Sequence, residues 1–238
     1  MSGSRIHFIA CRRLGSINAG TDRFQDRGLT VLLVLELCLI FLAAPLASGG
    51  PPIVRSINET MVLAVVAIVV LLSRRREAIA VIVLGSAAIL ASVLPGLGWP
   101  PAAASMLRRG GDILIFSALT WVVAHAVYAP GRITSHRLQG AAVMYLSLAM
   151  IFASAFGLIW QLNPAGFAGL LALTRGPGEN AAMMYFSPTT LTTTGYGDIK
   201  PVDPFARSLA NLESVLGQFF LAITVARLVT LELQDRRR

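Results

Sequence analysis

The chain has 238 residues, 55% of them hydrophobic and only 13% charged, with a formal net charge of +8. Soluble domains carry about a quarter charged residues, so this chain has too little polar side chain to cover a water-facing surface, and lipid is the natural solvent for the excess. The basic residues are nineteen Arg and one Lys in short clusters between apolar runs. That is the distribution of loop charges on an integral membrane protein, and it argues against a continuous nucleic-acid-binding face.

A helix needs about 20 apolar residues at about 1.5 Å each to cross a hydrocarbon core of about 30 Å. Six runs approach that length: Leu29–Ser48, Glu59–Ser73, Ala78–Pro95, Ile113–Pro130, Leu138–Gln161 and Leu209–Leu231. They predict an all-α membrane protein with six transmembrane helices. Gly49-Gly50-Pro51-Pro52 ends the first run, Arg74-Arg75-Arg76 turns the chain after the second, and Pro95 and Pro130 close the third and fourth. Small residues at Ala43 to Ser48 resemble a secretory cleavage site, but a long basic stretch precedes the run and Glu36 interrupts it. A retained first helix is therefore expected. With the amino terminus inside, fourteen basic residues fall on the cytoplasmic side and six outside. The excess predicts a multi-pass protein of the cell inner membrane with both termini cytoplasmic.

The stretch between the fifth and sixth runs is too polar to cross and too long for a turn. Asn163 to Gly178 is rich in Gly and Pro and reads as an exposed surface loop. From Glu179 to Thr192 the chain is long enough for three helical turns, and Glu179 and Asn180 suit a helix start. Then comes Thr192-Thr193-Thr194-Gly195-Tyr196-Gly197-Asp198. Passing a dehydrated cation requires a ring of oxygens in place of its water shell. Backbone carbonyls supply one if successive residues turn their C=O groups to one axis, through dihedrals that Gly195 and Gly197 tolerate. The Thr193 hydroxyl adds an oxygen at the inner end, Tyr196 packs outward, and Asp198 places negative charge at the outer mouth. The short helix would aim its carboxyl end at mid-membrane, favouring a cation there. Irregular backbone at such depth requires burial in protein or a water-filled path.

These residues resemble the pore loop of the potassium-channel superfamily, in particular its six-span bacterial members. The resemblance covers about the last hundred residues; the first four spans are similar only in number and order. Five specified positions (Thr, Gly, Tyr, Gly, Asp) recur by chance at about 3 × 10⁻⁷ per start, on the order of 10⁻⁴ over this chain, which sets aside an accidental match. Thr194 stands where the family usually has a branched aliphatic residue, and Pro188 lies inside the short helix. The resemblance implies a reentrant pore helix and selectivity-filter loop between spans five and six. It divides the chain into a cytoplasmic segment (1–28), a four-helix transmembrane domain (29–130) and a pore domain (131–238). It further implies a homotetramer with potassium held at Thr193, Thr194, Gly195, Tyr196 and Gly197. Potassium is then the permeant ligand, and no cofactor is required.

Voltage-gated relatives carry arginines at every third position of the fourth span, each charge worth about 2.3 kcal/mol per 100 mV. The run Ile113–Pro130 has none, and Arg108 and Arg109 sit at its outer end, so weak voltage sensing is expected. His125 reads as a packed helix histidine. Few residues follow the sixth run, so a cytoplasmic ligand-binding domain is not expected; gating belongs to the membrane part or to a regulatory partner. Gly217 lies mid-way along the sixth run, where a gating hinge and a close-packing glycine are equally good readings. Glu36 and Glu213 are intramembrane carboxylates that should face protein or water and find partners; for Glu213 the candidates are Arg207 and Arg109. Cys11, Cys38 and the three histidines show no metal-ligand spacing or catalytic cluster, and no enzyme chemistry is expected. The function implied is passive, potassium-selective conduction. The alternatives are a weakly selective cation channel, a potassium transporter subunit, or a modulatory subunit that passes no ion.

Overall fold

The computed structural model describes residues 28–43, 46, 61–70, 76–94, 98–128, 135–170 and 178–236. The amino-terminal segment, the Gly49–Pro52 break, Arg74 and Arg75, Pro95 and Pro130 lie outside the described residues. The structure is helical: α1 (Gly28–Ala43, its last five residues wound as a π-helix), α2 (Met61–Val70), α3 (Arg76–Val93), α4 (Pro101–Val127), α5 (Ser135–Leu162), α6 (Gly178–Leu191) and α7 (Pro204–Arg236). Between α5 and α6 lie a 3₁₀ turn, Pro164–Gly166, and a two-residue strand, β1 (Phe167–Ala168). Between α6 and α7 lies its partner, β2 (Lys200–Pro201).

Four of these helices, α3, α4, α5 and α7, are long and apolar enough to cross a membrane; α1 and α2 are apolar but shorter. The chain is thus an all-α protein with transmembrane helices. Two helices start well before their apolar runs. Helix α4 begins at Pro101 rather than Ile113, with proline at its first turn, where a fixed φ is favourable and no N–H is missed. Arg108 and Arg109 therefore lie inside the fourth helix and not at its end. Helix α7 begins at Pro204 rather than Leu209, because the Asp203 carboxylate accepts hydrogen bonds from the amides of Phe205 (2.8 Å) and Ala206 (3.2 Å). Aspartate before proline is a strong helix start.

Helix α5 is the shared wall of two apolar clusters. One face, with Val143, Met144 and Met150, packs against Leu32, Leu39, Val65, Ile82, Phe116 and Leu119 of the first four helices. The other, with Phe152, Phe156 and Trp160, packs against Phe167, Met183, Phe186 and Ala206. Phe156 and Phe186 meet edge-on at 4.9 Å, and Phe167 and Phe186 at 5.8 Å, the offset geometry that aromatic quadrupoles prefer. Phe167 and Leu170 are buried and pack with Met183 and Phe186 of α6, while Asn163 to Ala165, Ala168 and Gly169 are exposed as a surface loop would be; residues 171–177 of this stretch lie outside the described residues.

Glu36 and Glu213, the carboxylates within the first and last apolar runs, are both buried and both meet serines. The Ser147 hydroxyl of α5 donates to Glu36 Oε1 of α1 at 2.6 Å. The far end of α4 is tied to α7: Arg227 donates to the Tyr128 carbonyl at 2.8 Å and lies 4.7 Å over the Tyr128 ring, so one cation serves a helix carboxyl end and an aromatic face.

Candidate functional site

The site is the segment that leaves α6 and runs to β2. Helix α6 has 14 residues, with Glu179 in its first turn and Pro188 inside its last. Helix carboxyl ends leave four carbonyls without helical partners. Here all four are satisfied. The Pro188 carbonyl accepts from Thr192, through both its amide (3.0 Å) and its hydroxyl (2.7 Å). The Thr189 carbonyl accepts from the amides of Thr194 (2.9 Å) and Gly195 (3.2 Å). The Thr190 carbonyl accepts from the Thr193 amide at 2.9 Å and the Ser214 hydroxyl at 3.1 Å, and the Leu191 carbonyl from the Tyr145 hydroxyl at 3.3 Å. The Thr194-to-Thr189 and Thr193-to-Thr190 bonds together form a Schellman cap, whose left-handed residue is usually glycine. In this chain it is Thr193, at φ 59. A β-branched residue there is strained by about 1–2 kcal/mol.

Beyond the cap the hand of the backbone alternates. Thr193, Gly195 and Gly197 have φ of 59, 55 and 80, while Thr194 and Tyr196 stay at negative φ. Thr192 to Asp198 are all exposed in the single chain. Tyr196 stacks on Tyr185 of α6, ring centroids 6.2 Å apart and planes 6° from parallel, and the Thr192 and Thr194 hydroxyls share a hydrogen bond of 2.8 Å. The far end of the segment is anchored by β2, whose Lys200 pairs with Ala168 and Pro201 with Phe167. A Cβ on Gly169, which has φ +88, would lie 1.9 Å from the Asp198 carbonyl, so only glycine fits between strand and loop.

Three neighbouring helices hold this frame. From α7, Ser214 bonds Thr190, and Gln218 donates to the Thr193 hydroxyl at 3.4 Å. Gly217 of α7 presses on the end of α6: a Cβ there would meet the Leu191 carbonyl at 2.2 Å. Helix α7 is continuous through this position, and the close approach fits the close-packing reading of Gly217. Glu213 pairs with neither Arg207 nor Arg109. It meets the Ser187 hydroxyl of α6, which also donates to the Ala149 carbonyl of α5 at 2.7 Å. Arg207 Nε donates instead to the Pro201 carbonyl at 3.1 Å.

Arg109 of α4 donates to Glu179 Oε1 at 2.6 Å, and so joins the first four helices to the start of α6. Its guanidinium crosses α5 at Gly157, where a Cβ would lie 1.8 Å from Nη1. Carboxylates suit helix amino ends, and this one also neutralises a buried cation. Sequence reasoning found Glu179 and Arg109 separately but not as a pair; Gly157, one of two glycines in the α5 run, was the available signal of a close approach. It also passed over Tyr145, Ser187, Ser214 and Gln218, single polar residues in apolar runs.

A short helix capped into an exposed alternating loop, flanked by long apolar helices, is the setting that the comparisons with known families address. Residues 141–233 match a family of ion channels. That match begins in α5 and ends in α7, and it supports an ion channel, and with it ion transport, in this part of the chain. No curated protein and no solved structure matches the chain.

Proposed function

We propose that the chain is one subunit of a homotetrameric potassium-selective channel of the cell inner membrane, with the carbonyls of Thr193 to Gly197 as its selectivity filter. The observation that carries this reading is the alternation of positive φ at Thr193, Gly195 and Gly197 with negative φ between them. Alternating hands turn successive peptide planes back on one another, so that their oxygens share one side, as a dehydrated cation requires. One such strand per chain needs four chains around the axis, and the uncovered filter segment of the single chain is in keeping with that. Thr193 hydroxyl and carbonyl, Thr194, Gly195 and Tyr196 would ligate potassium, Asp198 would stand at the outer mouth, and α6 would be the reentrant helix aiming its carboxyl end at the cation. Six spans, counting the shorter α1 and α2, would place both termini in the cytoplasm.

A weakly selective cation channel is the second reading, favoured by the Thr192–Thr194 hydroxyl pair, a polar contact where the superfamily packs an aliphatic side chain. The experiment is isotope flux into liposomes holding the purified protein, with potassium against sodium and Gly195→Asp as control. Gly195 has open space around its Cβ position but lies at φ +55, so the substitution puts a charge and a disfavoured dihedral in the path with little steric clash. Potassium uptake without sodium, abolished by the substitution, is the expected result. Uptake of both ions would move the assignment to the weakly selective channel. Flux that survives Gly195→Asp would overturn the filter.

A further inference from the structure

Glu213 lies in α7, a helix long and apolar enough to cross a membrane, and it is fully buried. An ionised carboxylate is costly in such a place unless a cation or several donors compensate it. Among the described residues no cation does: Arg109 holds Glu179, Arg207 the Pro201 carbonyl and Arg227 the Tyr128 carbonyl. The titratable side chain that α5 brings toward Glu213 is Tyr145, whose hydroxyl donates to the Leu191 carbonyl. Helix α6 carries one charged side chain, Glu179 in its first turn, and that one is paired with Arg109.

The hydrogen bonds then place the proton. Ser187 of α6 is also fully buried, and its Oγ has two oxygens within bonding distance, the Ala149 carbonyl at 2.7 Å and Glu213 Oε1. A hydroxyl has one proton to give and lone pairs to receive with, whereas a peptide carbonyl can only accept. Both bonds are made only if the serine proton goes to Ala149 and the carboxyl supplies the other. Glu213 Oε2, in turn, has no hydrogen-bond partner. In an ionised carboxylate that oxygen would hold half of a buried charge bare; in a neutral acid it is a carbonyl oxygen, whose desolvation costs much less.

We infer that Glu213 is a carboxylic acid whose O–H donates to Ser187, so that one proton completes a chain from α7 through α6 to the Ala149 carbonyl of α5. Glu213 is then the positioning residue that holds α6 against α7, and it adds no negative charge among the three helices. For the proposed channel, that leaves the carboxyl end of α6 and Asp198 to attract a cation. This last consequence rests on the proposed function; the placement of the proton does not, and its test reads the same whether or not ions pass.

The test is the infrared spectrum of the full chain at neutral pH in an ester-free detergent, where the carbonyl band of a protonated acid stands clear of the amide band. Solvent-exposed carboxyls are ionised at that pH and give no such band. Subtracting the spectrum of Glu213→Gln from that of the native protein should leave one acid band, since the other carboxyls cancel. In Ser187→Ala the band should persist and move to higher frequency, as for an acid whose O–H has lost its acceptor. Glu213→Gln keeps an N–H donor for Ser187 and should unfold at a temperature close to that of the native protein. Glu213→Leu, similar in size but without a donor, should unfold at a markedly lower one. Absence of an acid band from the difference spectrum would overturn the inference, since Glu213 would then be ionised. A band that ignores Ser187→Ala would overturn the bond to the serine, and equal unfolding temperatures for the Gln and Leu variants would overturn the positioning role.

Discussion

Arg109 of α4 reaches through the notch at Gly157 of α5 and ends on Glu179, 2.6 Å away, in the first turn of α6. The first four helices are thereby bound to the amino end of the helix that leads into the Thr192–Asp198 loop. The pair is partly shielded, since Arg109 is buried while Glu179 keeps some contact with solvent.

Gly157→Ala should break this contact without touching either charge. A methyl group cannot share space with Nη1, so Arg109 must withdraw and remain buried without its carboxylate. Removing one partner of a buried pair costs about 3–5 kcal/mol, and the partial exposure of Glu179 places the loss at the lower end. Denaturant titration in detergent measures it, and a cost under about 1 kcal/mol would mean that the tie contributes little to holding the fold. Glu179→Gln should give a similar loss, and adding it to Gly157→Ala should cost little more, because both remove the same interaction.

Thr193 separates stability from conduction. Thr193→Gly relieves a left-handed β-branched residue but loosens the unfolded chain, so the two effects offset to within about 1 kcal/mol. Potassium flux should nevertheless fall, because the hydroxyl proposed to ligate the ion is gone. Thermal unfolding and liposome flux on the same preparation check this; unchanged flux would remove the Thr193 hydroxyl from the proposed ligands.

Gly217→Ala should disturb the end of α6. The added methyl would meet the Leu191 carbonyl at 2.2 Å, and overpacking of this kind costs about 1–3 kcal/mol. A stabilising effect, as expected from replacing a merely mobile helix glycine with alanine, would show that the two helices do not pack closely here.

Ser187 has one hydroxyl proton and two oxygen groups around it, the Ala149 carbonyl and the Glu213 carboxyl. Ser187→Ala takes the serine from the buried Glu213 carboxyl, while the Ala149 carbonyl keeps its helical bond within α5, and should cost about 1–3 kcal/mol. Glu213→Gln keeps the shape and supplies a donor toward Ser187, so it should cost less than Ser187→Ala. An equal or larger loss would mean that the interaction depends on the carboxyl group itself.

What could be read along the chain was what neighbouring residues decide among themselves. Apolar runs announced the helices, and Glu179 at a helix start announced α6. The Thr-Gly-Tyr-Gly-Asp pattern announced the exposed loop after it, because glycine is the residue that tolerates alternating hands. The helix starts at Pro101 and Pro204 were also written locally, in a proline at the first turn and in Asp203 before Pro204, although both lie ahead of the apolar runs.

The partners of the polar residues were not legible, because each lies far along the chain. Arg109 and Glu179 are 70 residues apart, Ser147 and Glu36 are 111 apart, and Ser187 and Glu213 are 26 apart. Among several carboxylates and arginines, sequence alone ranks no pairing above another. The choice is made when α5 packs between the first four helices and α6: Gly157 opens a passage for one arginine, Ser187 comes to face Glu213, and Gly217 comes to rest on Leu191. The amino-acid sequence by itself determined the helices, the cap and the filter-like loop, through local dihedral and burial preferences. Only the tertiary structure decided which buried charges meet, because that depends on which helix faces lie within a few ångströms once the apolar surfaces have packed.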